Sequence, residues 1–224
     1  MALRRRGKGV APNGSFAANH AKNLARYRAP SFADTKASEP FALEDRVVQV
    51  FSDLWKIQMM DRGKEYITTV GRTQEKGTKE YFMRRRSAAE IWTSGLASGC
   101  GDYASAFLER IDAAEIEALL VEGAEVSEES LDSHFSGHSA VAIRTHAEQN
   151  VWWLVDPTDR QILSRDWRIE AKTFEAAGSV YWILFCGKQA DYPIHNAEQI
   201  REFYGRALDS IPPATLSEIL RRKK

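Results

Sequence analysis

Three short stretches hold side chains whose types and spacing suit covalent catalysis. The first is ASGCGDYASAFLERI, residues 97–111, which carries Cys100, one of two cysteines in the chain, between Gly99 and Gly101. Beyond it Ala104, Phe107, Leu108 and Ile111 recur at helical spacing, which places Cys100 on the inward face of the first turn. Backbone N–H groups are unpaired there and the helix dipole is positive, so both stabilise a thiolate. A free thiol titrates near 8.5, and a helix N-terminus with a neighbouring imidazolium lowers that to roughly 3.5–7.5. The flanking glycines leave room for a substrate backbone to come close. The plainer reading is a small apolar side chain that begins a helix.

The choice depends on what else the chain brings to Cys100. HSAVAIR and VWWLVD, rich in β-branched and aromatic residues, are expected strands, joined by the polar HAEQN. A hairpin centred near Ala147 sets His138 directly opposite Asp156. Opposed residues of an antiparallel pair have Cβ atoms ~4.5–5.5 Å apart, a reach that suits an imidazole N–H on a carboxylate. Pro157 favours extended backbone at Asp156 and ends the strand there. Cys100, His138 and Asp156 are thus the parts of a nucleophile, a general base and an orienting carboxylate.

SGCGDYASAF followed by GHSAVAI and WWLVDPT resembles the transglutaminase-like cysteine enzymes, over about Ser87 to Thr158. The resemblance implies an α+β, papain-like fold, with the Cys-bearing helix packed on an antiparallel sheet and helices flanking it. It also implies roles: Cys100 as nucleophile, His138 as general base and acid, Asp156 as orienter. The family often has an aromatic residue soon after the histidine, where this chain has Ser139, Ala140 and Val141. The backbone N–H of Cys100 is the natural first oxyanion donor. Trp55 and Trp92 are candidates for a second, against the simpler reading of both as core residues.

The remaining chemistry-bearing residues have plainer readings. His134 and His138 are four apart, but Gly137 and the polar surroundings argue against the helix that zinc binding at that spacing needs. His20, His146 and His195 are expected at the surface, Cys186 in the buried strand SVYWILFC, and Asp102 in a local hydrogen bond. Arg84 to Arg86 are expected to form a solvated basic patch, and the acids between Asp112 and Asp132 a solvated loop face. Within that stretch EALLVEG suits helix or strand. No calcium-loop spacing is present, and neither metal nor cofactor is expected.

The elements that must position the triad follow from periodicity. FALEDRVVQVFSDLWKIQMM places Leu43, Val47, Val50, Phe51, Leu54 and Trp55 on one helical face, and EYITTV is a short strand. Ser87 with Glu90 matches a capping box, with Gly95 ending a short helix. NAEQIREFYGRAL and TLSEILRRKK are expected helices. The chain therefore divides into a basic arm over residues 1–40, a catalytic domain over 41–195 and a helical extension over 196–224.

Composition bounds the function. The 224 residues carry no net formal charge, so the total points neither to nucleic acid nor to membranes, yet residues 1–40 hold eight Lys or Arg against Asp34 and Glu39. Such an arm is a solvated tail, a tether to nucleic acid or an acidic partner, or, since the first acid is Asp34, a transit peptide. It lacks the apolar run of a secretory signal. Two cysteines fit a reducing, cytoplasmic setting, and no apolar run reaches the ~18–20 residues that span a bilayer. The expected activity is cleavage of an amide bond in a protein or peptide through a thioester. Deamidation or transglutamination of protein glutamine uses the same triad, and a binding or assembly protein can keep the fold without turnover.

Overall fold

The computed structural model describes residues 39–113, 116–127, 136–144, 151–209 and 211–222. Residues 1–38, His134, His146, Glu115, Glu128, Glu129, Asp132 and the HAEQN turn lie outside them.

Helix α1, Glu39–Leu54, buries Leu43, Val47, Val50, Phe51 and Leu54 along one stripe. Trp55, expected on the same face, falls just past the helix end and is 40% exposed. The chain turns there through Ile57 N–H to Leu54 C=O, 3.0 Å, and the Arg160 guanidinium covers the indole at 4.0 Å. Strand β1 (Gln58–Met59) runs parallel to β4 (Leu96–Ala97). Between them lie the hairpin β2 (Glu65–Val70) and β3 (Thr73–Thr78), the short helix α2 (Lys79–Phe82) and α3 (Ala88–Ser94). The capping box at Ser87 and Glu90 is complete, and Gly95 ends α3 with φ of 64°. Helix α4 spans Cys100–Asp112.

Six antiparallel strands form the main sheet: β5 (Ala118–Glu125), β6 (Gly137–Arg144), β7 (Val151–Asp156), β8 (Gln161–Arg168), β9 (Thr173–Ala176) and β10 (Ser179–Gly187), in the order β8-β7-β6-β5-β10-β9. Helices α5 (Ala197–Asp209) and α6 (Pro213–Arg222) follow. The described fold is mixed α/β, with six α-helices, the antiparallel six-stranded sheet, the antiparallel β2–β3 hairpin and the parallel β1–β4 pair. EALLVEG resolves as strand because β5 is paired on both sides, by β6 and β10.

Strand alternation sorts the core into two faces. Leu120, Val141, Ile143, Trp153 and Val155 meet α1 and α4 through Phe51, Phe107 and Ile111. Their neighbours Val121, Ala140, Ala142, Trp152 and Leu154 turn the other way and pack with Trp167, Phe174 and Tyr181. Beside α4, helices α5 and α6 bring Tyr204, Leu208 and Ile219 against Ala124 and Val126. Removing the fully buried Phe107 side chain that seats α4 would cost about 3–5 kcal/mol.

Candidate active site

The start of α4 is held rigidly. Gly99 is extended, and its carbonyl accepts the N–H groups of Asp102 and Tyr103 at 3.1 and 3.4 Å. The buried Asp102 carboxylate accepts the Ser98 N–H and hydroxyl, each at 2.8 Å, and Arg86 Nη2 at 2.7 Å. Asp102 is the local hydrogen-bonding residue expected of it, but Arg86 is not a solvated cation. It is buried, and also donates to the Leu96 carbonyl at 2.9 Å. Breaking one partner of such a buried pair costs about 3–5 kcal/mol, because the other charge is left unpaired.

His138 is the second residue of β6 and Asp156 the last of β7. His138 Nε2 lies 2.8 Å from Asp156 Oδ2, with the carboxylate fully buried. The register differs from the expected one by two residues. Val141 pairs with Val155 rather than Trp153, so continuing that register sets Asp156 opposite Ala140, with His138 on the diagonal. A shift of two positions keeps both residues on one face, and diagonal neighbours ~7–8 Å apart are within reach of a long ring. The other carboxylate oxygen accepts the N–H groups of Thr158 and Asp159 at 2.9 and 3.2 Å, in the turn after Pro157. That turn is anchored by Arg160, which has φ of 54° and donates to the carbonyls of Thr158 and Leu54.

Cys100 meets this pair at the start of β6. Its Sγ is 3.7 Å from the Gly137 carbonyl and 3.5 Å from Ser139 Oγ, and the neighbouring His138 ring acts on the thiol. With Nε2 committed to Asp156, Nδ1 is the ring nitrogen left for the sulfur. Burial opposes the imidazolium, but hydrogen bonds and charge from Asp156 and Cys100 outweigh it and push His138 up to about 10. Burial and the Glu122 charge oppose the thiolate, and the His138 hydrogen bond and charge, helped by Arg84, bring Cys100 below its ordinary value. Both directions favour a thiolate–imidazolium pair. Tyr181 and Phe174 flank the ring, with centroids 5.3 and 6.3 Å away.

A cavity of about 140 Å³ opens beside the thiol, lined by Arg84, Cys100, Gly137, Ile200 and Tyr204 among others. Its walls hold what the sequence reading missed. Arg84, expected in solvent, forms an ion pair with the fully buried Glu122, itself expected on a solvated loop. Tyr204 O–H donates to the second Glu122 oxygen at 3.2 Å. The guanidinium fills the space over Gly101, so only Gly99 of the two glycines is open. A lone acid inside the apolar run LLVEGA was the available sign that Glu122 needed a buried partner.

The other candidates stand elsewhere. Trp92 Nε1 donates to the Ala106 carbonyl at 3.2 Å, and neither Trp92 nor Trp55 borders the cavity. Cys186 packs against the far-face cluster, and His195 is exposed. Among the described residues no three His, Cys, Asp or Glu side chains converge to hold a metal ion, and no helix is long and apolar enough to cross a membrane. No family model matches the chain, and neither the curated proteins nor the solved structures contain a significant match to it.

Proposed function

We propose that the chain is a cysteine-dependent hydrolase that cleaves amide bonds of proteins or peptides, on a papain-like, transglutaminase-like framework. The observation that carries this reading is the position of His138 between the buried Asp156 carboxylate, which it meets at 2.8 Å, and the Cys100 thiol, on which its ring acts. A Cys-bearing helix laid on an antiparallel sheet, with the histidine entering a central strand, supports the fold reading.

In the proposed cycle the Cys100 thiolate attacks the amide carbonyl carbon, and the carbonyl electron pair moves to oxygen. The Cys100 backbone N–H, which lies in the first helical turn, donates to that oxyanion. The tetrahedral species collapses as the C–N bond breaks, and imidazolium His138 gives its proton to the departing amine. A thioester on Cys100 and a neutral imidazole remain. His138 then takes a proton from water, the hydroxide adds to the thioester, and the C–S bond breaks. This releases the acid and restores thiolate and imidazolium. Asp156 keeps Nε2–H engaged throughout, so Nδ1 faces the sulfur in both half-reactions.

The test is intact-mass analysis of the protein incubated with a glutamine-containing protein and a labelled primary amine. A trapped acyl adduct on Cys100 with peptide fragments supports hydrolysis. A gain of about one dalton per site in the intact substrate indicates deamidation, and amine incorporation indicates transfer, both by acyl chemistry at the same thiol. No adduct on Cys100 with any acyl donor would leave a binding protein on this fold.

A further inference from the structure

The Cys100 sulfur has a second polar neighbour besides His138, and it belongs to a buried chain of charges. Successive residues of β6 face opposite ways. His138 turns to the face of Phe174 and Tyr181, and Ser139 to the face of α4. Ser139 stands directly opposite Glu122 in the β5–β6 register, and both are fully buried. Arg84 lies over this pair: its Nη2 binds Glu122 Oε1 and reaches Ser139 Oγ at 2.9 Å.

The direction of each bond follows from the donors available. A guanidinium has no acceptor, so Arg84 donates to Ser139 Oγ. That contact occupies a lone pair of the hydroxyl and leaves its one proton for an acceptor. Cys100 Sγ, 3.5 Å away, is the acceptor at hand. We infer that the Ser139 hydroxyl is a second hydrogen-bond donor to the Cys100 thiolate, aimed by Arg84, which is itself fixed by Glu122 and, through Glu122, by Tyr204. This rests on the proposed role of Cys100 as nucleophile. Ser139 then acts on the reacting atom, and Arg84 is a positioning residue.

Two features fit such a device better than a structural filler. A buried Arg–Glu pair is weak support for stability, because its desolvation offsets its attraction. Arg84 also has φ of 61°, a conformation that is strained for a side-chain-bearing residue and that holds its guanidinium over Gly101. The titratable groups that face Cys100 are His138 on β6, Asp156 behind it on β7, Glu122 on β5, Tyr181 on β10 and Tyr204 on α5. Arg84 from the α2–α3 connection and Tyr192 complete the set. Of these only His138 and Arg84 bring positive charge, and Ser139 relays the second.

The experiment is the pH profile of Cys100 alkylation by iodoacetamide, read by peptide mapping in wild type and Ser139→Ala. Hydrogen bonds to charged groups are the strong ones, so the alkylation rate below neutral pH should fall about tenfold and the midpoint should move up by about one unit. The melting temperature shows that the variant is folded. An unshifted midpoint in folded Ser139→Ala overturns the inference and leaves the nucleophile reading intact. A wild-type Cys100 no more reactive than a free cysteine peptide overturns the nucleophile reading instead. Ser139→Gly, which removes the hydroxyl and leaves both buried charges in place, should shift the midpoint the same way. It serves as the deciding variant if Ser139→Ala does not fold, and an unshifted midpoint in it then counts against the inference.

Discussion

Cys100 and Cys186 are both free, both half-buried, and both set against the six-stranded sheet, yet their thiols are driven in opposite directions. Burial alone acts on Cys186 and pushes it up to about 11. Burial acts on Cys100 as well, in the same sense, and is overcome by the His138 hydrogen bond and charge. The low dielectric of a protein interior therefore does not make a thiol reactive. It penalises the thiolate everywhere, and it also strengthens any neighbour able to bind the anion. What distinguishes the two sites is position. Cys100 begins a helix where an imidazolium can reach it, whereas Cys186 lies within β10 and packs against the apolar far-face cluster.

The widest separation should come from pH. A thiol lowered below its ordinary value ionises earlier than a free one, so alkylation of Cys100 should level off at lower pH than that of a free cysteine peptide. A thiol at about 11 gains thiolate roughly tenfold per unit up to that value, where half is ionised, so labelling of Cys186 should rise about 5 × 10³-fold between pH 7 and 11. Over the same range Cys100 should gain far less than Cys186, and should change again once His138 loses its proton through about 10. The stability linkage has a matching sign. A histidine raised in the folded state stabilises the fold fully below its unfolded value of 6.5, and that contribution is lost as pH rises through about 10. Peptide mapping across pH checks the labelling. Parallel curves for the two cysteines would dissolve the comparison.

His138→Ala should make Cys100 resemble Cys186. With the imidazolium gone, burial is the largest influence left on the thiol, and the neutral-pH alkylation rate should drop about 10²-fold. Turnover should drop with it, since a positioned general base contributes about 10²–10⁴-fold. Timed alkylation of the variant, with Cys186 as the internal standard, measures the change. A Cys100 that keeps its lead without His138 would assign the activation to the helix terminus and Arg84.

Asp156→Asn should act more gently on the thiol, about tenfold in alkylation, because the ring remains beside the sulfur with a weaker hold on its proton. The amide oxygen can still accept the Thr158 and Asp159 N–H groups, so the turn should survive and the melting temperature should stay close to wild type. Turnover should suffer more than labelling, since an amide partner can fix the wrong tautomer. Equal losses in both would mean that Asp156 supplies charge alone.

Local periodicity made much of this legible. Cys100, Ala104, Phe107, Leu108 and Ile111 define α4 through spacing, and the β-branched and aromatic content of HSAVAIR and VWWLVD marks β6 and β7. Even the misplaced register did little harm, because a displacement of two positions returns each side chain to its own face. The charged half of the site was hidden for a different reason. Arg84 meets Glu122, Ser139 and a ring from Tyr192, partners 38 and 55 residues away in the first two cases. Tyr204 reaches Glu122 across 82 residues. An RRR run looks the same in sequence whether it faces water or, as with Arg86 and Asp102, seals the base of a helix. Nothing local reveals that an acid in a strand and an arginine before a capping box will share one buried point.

The smallest effect should come from Cys186→Ala, and that is its use. Cys186 pairs with Val121, whose side chain turns to the face of Trp152, Phe174 and Tyr181. Its neighbour Glu122 turns to the other face, under Cys100 and Arg84. The backbone of β5 thus separates the substituted side chain from the charge network, and truncation to alanine removes one sulfur from a half-buried apolar site. The expected cost is about 1 kcal/mol or less, a shift of about 2–4 °C in a chain of this size. The alkylation rate and pH midpoint of Cys100 should be unchanged. Thermal melting and timed alkylation of the variant check both. A slower Cys100 in Cys186→Ala would mean that the position of Glu122, and through it Arg84 and Ser139, depends on packing across the sheet. The tuning of the thiol would then belong to the sheet as a whole rather than to the side chains that touch the sulfur.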